Sequence, residues 1–369
     1  MIRCILAVIL TLIGLFPHCA SAQINAEPVA PKKAASGFFD MGNVKCDSAR
    51  AHFKRNDIKG ANKLYEAAIK DYKKAVKESP ESYAPYYRMG MAQIRIKEYK
   101  EAVASLTKSF ELDTTRWEII RERGIAKAGM GKKDEAIKDY NKAIDINFDD
   151  ADSFYQRGLV LESQNKMEEA LSDYSRVIEL KPKYEDAYMR RGLIYYNVKK
   201  DYILALNDLN KVIELNPDNI EAYLWRGKTK FKGEDFKGAD RDLSKFIDNV
   251  PQHTEAHLTR GASRININNN SGAVEDFDQV IELDPNNFLA YMNRGTAKGG
   301  LKKYKEALQD LDTAIKMKFD YSPAYINRAA VKFASGDRKG ACKDLAKADG
   351  LNNEKAYHLI QQYCNEEKR

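Results

Sequence analysis

Residues that build chemical sites are scarce in this chain: 5 histidines, 5 cysteines and 2 tryptophans among 369 residues. No nucleophile, base and orienting acid fall into a recognisable catalytic pattern, so no catalytic residue and no cofactor are expected. The one metal-like spacing is His253 and His257 at i, i+4. A zinc-protease helix needs its glutamate directly after the first histidine, whereas here Glu255 lies between them, so His257 is read as a core residue in an aromatic slot. Gly227-Lys228-Thr229 resembles the end of a phosphate-binding loop, but Ala222 stands where the first glycine must be. Long apolar runs are also missing. The longest, Ile5 to Phe16, is shorter than the about 20 residues that cross a bilayer. Charge of one sign is absent too: 61 basic and 54 acidic residues interleave to a net +7, which offers no basic stripe for nucleic acid and reads as solvated helix faces. No alternating strand-like segment and no Gly/Ser linker follow Asp47, so a second domain is not expected.

The amino terminus reads as an export signal. Arg3 precedes the apolar run, and Ala20-Ser21-Ala22 supplies small residues for cleavage before Gln23. Residues 1–22 are therefore expected to be a signal peptide, and the mature chain a soluble protein of the periplasm or exterior with no stable membrane insertion. Phe16-Pro17-His18 disfavours lipidation at Cys19. Residues 23–46, with Pro28, Pro31 and no apolar period, are expected to be a disordered leader that Phe38 and Phe39 staple to the first folded element. Asn269-Asn270-Ser271 is a glycosylation sequon, which matters only in a eukaryotic host.

What the chain does have is repetition. In residues 151–182, Phe154, Gly158 and Leu161 recur at helical spacing, and so do Met167, Ala170, Leu171, Tyr174, Val177 and Ile178. That pattern is two amphipathic helices forming a hairpin. Asn165, three residues before Glu168, is expected to cap the second helix, and Pro182 to end it. The glycine returns at 90, 124, 158, 192, 227, 261 and 295, with Ala329 in register: a period of 34 with one step of 35. The extra residue is placed in the turn near Lys199 to Tyr202. A glycine inside a helix costs about 1 kcal/mol relative to alanine, so its recurrence implies close helix approach, with Gly158 facing Ala170 and Phe154, Leu161 and Tyr174 interlocking around the gap.

A 34-residue helical hairpin with an aromatic, a glycine, an alanine and a terminal proline resembles the tetratricopeptide repeat (TPR). Eight repeats begin at Tyr83, Trp117, Ala151, Glu185, Ile220, Thr254, Phe288 and Ser322. A degenerate repeat occupies residues 47–82, the solenoid 83–352, and a capping helix 353–369. The resemblance implies an all-α, right-handed superhelical solenoid of antiparallel helix pairs, acting as a non-enzymatic scaffold that binds an extended or helical segment of a protein partner in its concave groove. It also implies that the residue after each aromatic slot faces that groove: Tyr87, Arg121, Tyr155, Met189, Leu224, Leu258, Met292 and Ile326. The lysine and asparagine set that grips a peptide carboxylate in some TPR proteins is missing. The competing reading is cell-wall glycan stacked on groove tyrosines such as Tyr87, Tyr155 and Tyr196.

Two further patterns accompany the repeat. Arginines 123, 157, 191, 226, 260, 294 and 328 precede the glycine or its alanine substitute, and aspartates 139, 173, 208, 242, 276, 310 and 344 answer them 16 or 17 residues on. The aspartates would neutralise an arginine ladder built to read an acidic ligand, so the two sets are read as structural pairs. Cys342 and Cys364 lie equally far from Asn353 on an antiparallel pair, and export permits their oxidation, so a disulfide is expected. The ending also resembles the cysteine-containing cap of secreted bacterial TPR proteins. Cys46 is read as free and half-buried, with an intermolecular bridge as the alternative.

Overall fold

Apolar residues repeating every three or four positions, interrupted every 12 to 20 residues by turn residues, leave the backbone one economical solution, the antiparallel helix pair. The computed structural model of the chain describes residues 37–364. The expected signal peptide, Cys4 and Cys19, and the leader up to residue 36 lie outside the described residues. Every described element is helical, and contacts divide the chain into two units, Met1–Pro182 and Lys183–Arg369.

The first unit contains α1 (Gly37–Lys54) and α2 (Ile58–Glu78), α3 (Tyr83–Arg95) and α4 (Tyr99–Leu112), α5 (Trp117–Gly129) and α6 (Lys133–Ile146), and α7 (Ala151–Ser163) and α8 (Met167–Leu180). In the second, α9 (Glu185–Ile194) continues into a π-helical turn (Tyr195–Lys199) and pairs with α10 (Tyr202–Leu215). There follow α11 (Ile220–Lys232) with α12 (Phe236–Asn249), α13 (Thr254–Asn266) with α14 (Asn270–Leu283), α15 (Phe288–Gly300) with α16 (Tyr304–Met317), α17 (Ser322–Ala334) with α18 (Arg338–Asp349), and the cap α19 (Glu354–Tyr363). The eight clear pairs start at the eight expected residues. Helix α1 begins inside the segment read as a disordered leader. It is ordered because Phe39 packs on Tyr72 at 6.0 Å between ring centroids and Gly42 lets the same ring approach.

The glycine contact differs from the one expected. A Cβ at Gly158 would lie 2.8 Å from the Tyr174 ring, not against Ala170. The equivalent approaches are 2.6 Å to Leu106 at Gly90, 2.6 Å to Tyr140 at Gly124, 2.8 Å to Leu243 at Gly227, 2.7 Å to Phe277 at Gly261 and 2.8 Å to Leu311 at Gly295. All six partners are at most 1% exposed. Each glycine thus makes room for a large, fully buried side chain of the second helix, which is too close for a methyl without a shift of its neighbours. Gly192 is the loosest, with 3.2 Å to Asp208 Cβ.

The extra residue and the cap also sit elsewhere than expected. In each hairpin a residue with φ near +60° to +90° reverses the chain: Lys97, Gly131, Asn165, Glu234, Asn268, Lys302 and Gly336 stand seven residues after the repeat glycine or alanine. Lys200 stands eight after Gly192. The insertion is therefore absorbed inside the helix as the π turn, which keeps Tyr196 buried, and not in the loop. Asn165 is this left-handed turn residue, so the N-cap of α8 passes to Lys166, which makes no side-chain cap. Where Asp or Asn does fall at the cap of a second helix (Asp57, Asp201, Asp235, Asn269 and Asp337), its side chain accepts the backbone N–H three residues on. In the cap α19, Leu359 joins Ile360 and Cys364 against Ala329, Ala341 and Leu345, while Tyr357 is 51% exposed.

The glycine contacts predict a graded response. Gly158→Val should lower stability by about 2 kcal/mol or more, whereas Gly192→Ala should cost distinctly less, because its contact is looser and alanine returns about 1 kcal/mol of helix propensity. Urea denaturation of the two variants checks this, and equal losses would contradict it.

Candidate functional site

The arginines reach their aspartates in all seven repeats through two parallel bonds, Nε and Nη2 to the two carboxylate oxygens, at 2.6–3.1 Å. A second arm, invisible to the pairing argument, runs from the remaining guanidinium nitrogen to the second helix of the preceding repeat. Arg123 meets Thr107, Arg157 meets Asn141, Arg226 meets Asn210, Arg260 meets Ser244, Arg294 meets Asp278 and Arg328 meets Asp312, at 2.6–3.4 Å. All but Thr107, which follows Ser105, stand two after a repeat aspartate, a spacing that could have disclosed them. The arginine joins neighbouring repeats as well as the two helices of its own.

Four residues after the arginine, Lys127, Lys230, Lys298 and Lys332 add a second cation at 2.8 Å from the same carboxylate, and Arg264 does so at 3.0 Å. Leu161 and Tyr195 hold that position beside Asp173 and Asp208. At those two, burial pushes the carboxyl above the usual carboxylate range despite the opposing pull of Arg157 and Arg191. His257 takes the aromatic slot as expected, with Nδ1 2.9 Å from Asp276 and Nε2 2.9 Å from the Pro251 carbonyl, so both ring nitrogens are engaged by the chain itself. His253 instead caps α13, accepting from Ala256 N–H.

The residues expected in the groove divide into two groups. Tyr155, Met189, Leu224 and Met292 are only 5–9% exposed. They are core residues: Leu224 packs with Leu243 and Ala256, Met292 with Leu311 and Val331, and Met189 with Leu209. Tyr87, Arg121, Leu258 and Ile326 are half-buried and remain partly open. Arg121 is not a free cation, since its Nη1 lies 2.9 and 3.0 Å from the two oxygens of Asp150. Lys228, one turn on from Leu224, is held at 2.6 Å by Glu255 and lies 4.2 Å above the Trp225 ring. Within each unit the first helices of successive repeats touch, α3 on α5 and α5 on α7, then α11 on α13, α13 on α15 and α15 on α17. This face is therefore continuous inside each unit.

Cys342 and Cys364 are at bonding distance, with Cα atoms 5.8 Å apart. Cys46 is free and half-buried, accepting a 3.5 Å bond from the Tyr72 hydroxyl.

Removing one arm of the buried pairs gives a pH-dependent test. Arg157→Met leaves Asp173 buried without its cation, which should cost about 3–5 kcal/mol near neutral pH. The stranded carboxyl then titrates above its unfolded value, so protonation relieves the penalty and the deficit against wild type should shrink as pH falls toward about 4.5. Chemical denaturation at the two pH values checks this; a deficit that stays constant or grows in acid would contradict it.

Comparison with known proteins agrees with the repeat geometry. The TPR repeat family matches residues 126–165 and 163–199, and the tetratricopeptide repeat family matches 46–109, 185–219 and 289–321. No curated protein matches the chain in sequence. Among solved structures, YrrB, described as a TPR protein with an unusual peptide-binding site, is 29% identical with a TM-score of 0.48, over 50% of this chain and 95% of its own. MamA is 28% identical with a TM-score of 0.39, over 47% and 96%. A tetratricopeptide repeat protein from Parabacteroides merdae is 17% identical with a TM-score of 0.42, over 77% and 99%. The repeated hairpin, its glycine and its family matches along the chain together make this protein a member of the tetratricopeptide repeat family.

Proposed function

We propose that the protein is a non-enzymatic interaction scaffold, exported to the cell envelope, that holds an extended or helical segment of a protein partner against the face of its first helices. The observation that carries this reading is a contrast within each repeat. The framework positions are copied with little change: glycine, its large buried partner, and the arginine–aspartate pair. The position after the aromatic slot is Tyr, Arg, Tyr, Met, Leu, Leu, Met and Ile in turn. The position after the glycine is Met, Ile, Leu, Leu, Lys, Ala, Thr and Ala. One backbone thus offers different chemistry at each level, which suits recognition of a partner's side chains in series. Because Tyr155, Met189, Leu224 and Met292 are nearly closed to solvent, contact would fall on half-open neighbours such as Tyr87, Ile125, Leu159, Leu258 and Ile326, where apolar anchors are most effective. Export is supported by Arg3, the apolar run and Ala20-Ser21-Ala22. It accords with two cysteines placed to bridge.

The test is affinity capture from the native envelope with wild type and with Ile125→Glu and Leu258→Glu. Each variant should lose partner recovery about tenfold or more while its melting temperature changes little, and amino-terminal sequencing of the recovered protein should begin at Gln23. Undiminished recovery would place recognition off this face, and an intact Met1 would refute export.

A further inference from the structure

At the start of the first unit, α1 and α3 stand over α2 and enclose a cavity of about 230 Å³. Tyr65 and Tyr72 form its buried floor, and Arg50, Arg88 and Arg95 line its walls beside Cys46. One carboxylate, Asp47, lines it too and lies 3.0 Å from Arg50. Three arginines against one aspartate leave two positive charges at the cavity. Arg88 makes no hydrogen bond or ion pair among the described residues, in contrast to the seven arginines of the later first helices, which are saturated by their aspartates. The structural pair is missing from this repeat: Met89 stands in the arginine position and Ser105 in the aspartate position, where it bonds Gln93 at 2.8 Å. Arg88 and Arg95 stand two before and five after Gly90. No other repeat has arginine at both places. Their placement is therefore not a by-product of the framework.

The field inside the cavity points the same way. Burial pushes the Cys46 thiol and the Tyr72 phenol up, and against it Arg50 and Arg88 both pull toward the anionic form at these two groups. Two guanidinium fields converge on the cavity, and the guanidinium fork matches paired oxyanion oxygens. We propose that this cavity is a binding site for a dianionic oxyanion of the phosphate-monoester class, with Arg88 as its principal ligand and Arg50 and Arg95 closing on it from the rim. The phosphate belongs either to a small free molecule or to a phosphorylated side chain.

Calorimetric titration of the full chain with inorganic phosphate, and with a phosphoserine peptide beside its unphosphorylated twin, tests the site. Saturable binding of phosphate or of the phosphopeptide alone is expected, and the tighter of the two identifies the source. Arg88→Met, which keeps an apolar stem and removes the charge, should weaken it about tenfold or more. Phosphate should also slow alkylation of Cys46, read by peptide mass spectrometry on the wild type; if Arg88→Met fails to fold, this protection and the Arg50→Gln variant decide. Absence of saturable binding at millimolar phosphate and phosphopeptide would overturn the proposal. So would binding that neither substitution weakens and that leaves Cys46 equally reactive.

Discussion

A missing side chain sets the distance between the two helices of each hairpin. Gly124 lies so near Tyr140, and Gly261 so near Phe277, that a methyl would penetrate the ring at 2.6 and 2.7 Å. The glycine loses about 1 kcal/mol of helix propensity. The leucine, tyrosine or phenylalanine it admits is fully buried, which contributes about 1.5–3 kcal/mol, so close approach prevails. Once that distance is fixed, residues 16 apart across the turn stand at one level, and the arginine before each glycine meets the aspartate on the facing helix with both oxygens in reach. Its third nitrogen then extends to the preceding repeat, so the spacing inside one hairpin is carried to the next.

The same interactions govern what the surface can offer. Charges copied from repeat to repeat are consumed by one another, and even Arg121 and Lys228, which depart from the pattern, are tied to Asp150 and Glu255. What stays available at the positions one after the aromatic slot and one after the glycine is uncharged and different at each level. The exception is the first full repeat, where Met89 and Ser105 replace the pair and the arginines turn to a cavity instead. Framework and recognition are separated by position: the glycine and arginine serve the stack, and the residues one after the aromatic and one after the glycine serve the surface.

Much of this could be read from the residues in order. Helix pairs, their starting points, the arginine–aspartate pairs and the core role of His257 follow from a 34-residue period and the spacing of apolar residues. The partner of the glycine did not follow, because Ala170 and Tyr174 lie one turn apart on the same helix face and only the backbone separation tells which is opposite Gly158. Nor did the π turn, since one inserted residue looks alike whether a loop or a helix absorbs it, and only the left-handed Lys200 locates it. The burial of Tyr155 and Met189 was hidden because it depends on how far neighbouring helices overlap. The three-arginine cavity draws on two separate repeats, one of them degenerate, so no single period exposes it.

The central claim, that the glycine exists to admit the large residue opposite, is tested most directly by a double-mutant cycle at Gly158 and Tyr174. The chain already contains the smaller combination, Ala329 packed with the buried Leu345. Gly158→Ala and Tyr174→Leu should each destabilise alone, the first by a clash and the second by a void. Combined, they should lose less than the sum by about 1 kcal/mol or more, as the pair can adopt the spacing at which Ala329 meets Leu345. Strict additivity of the two losses would contradict the account.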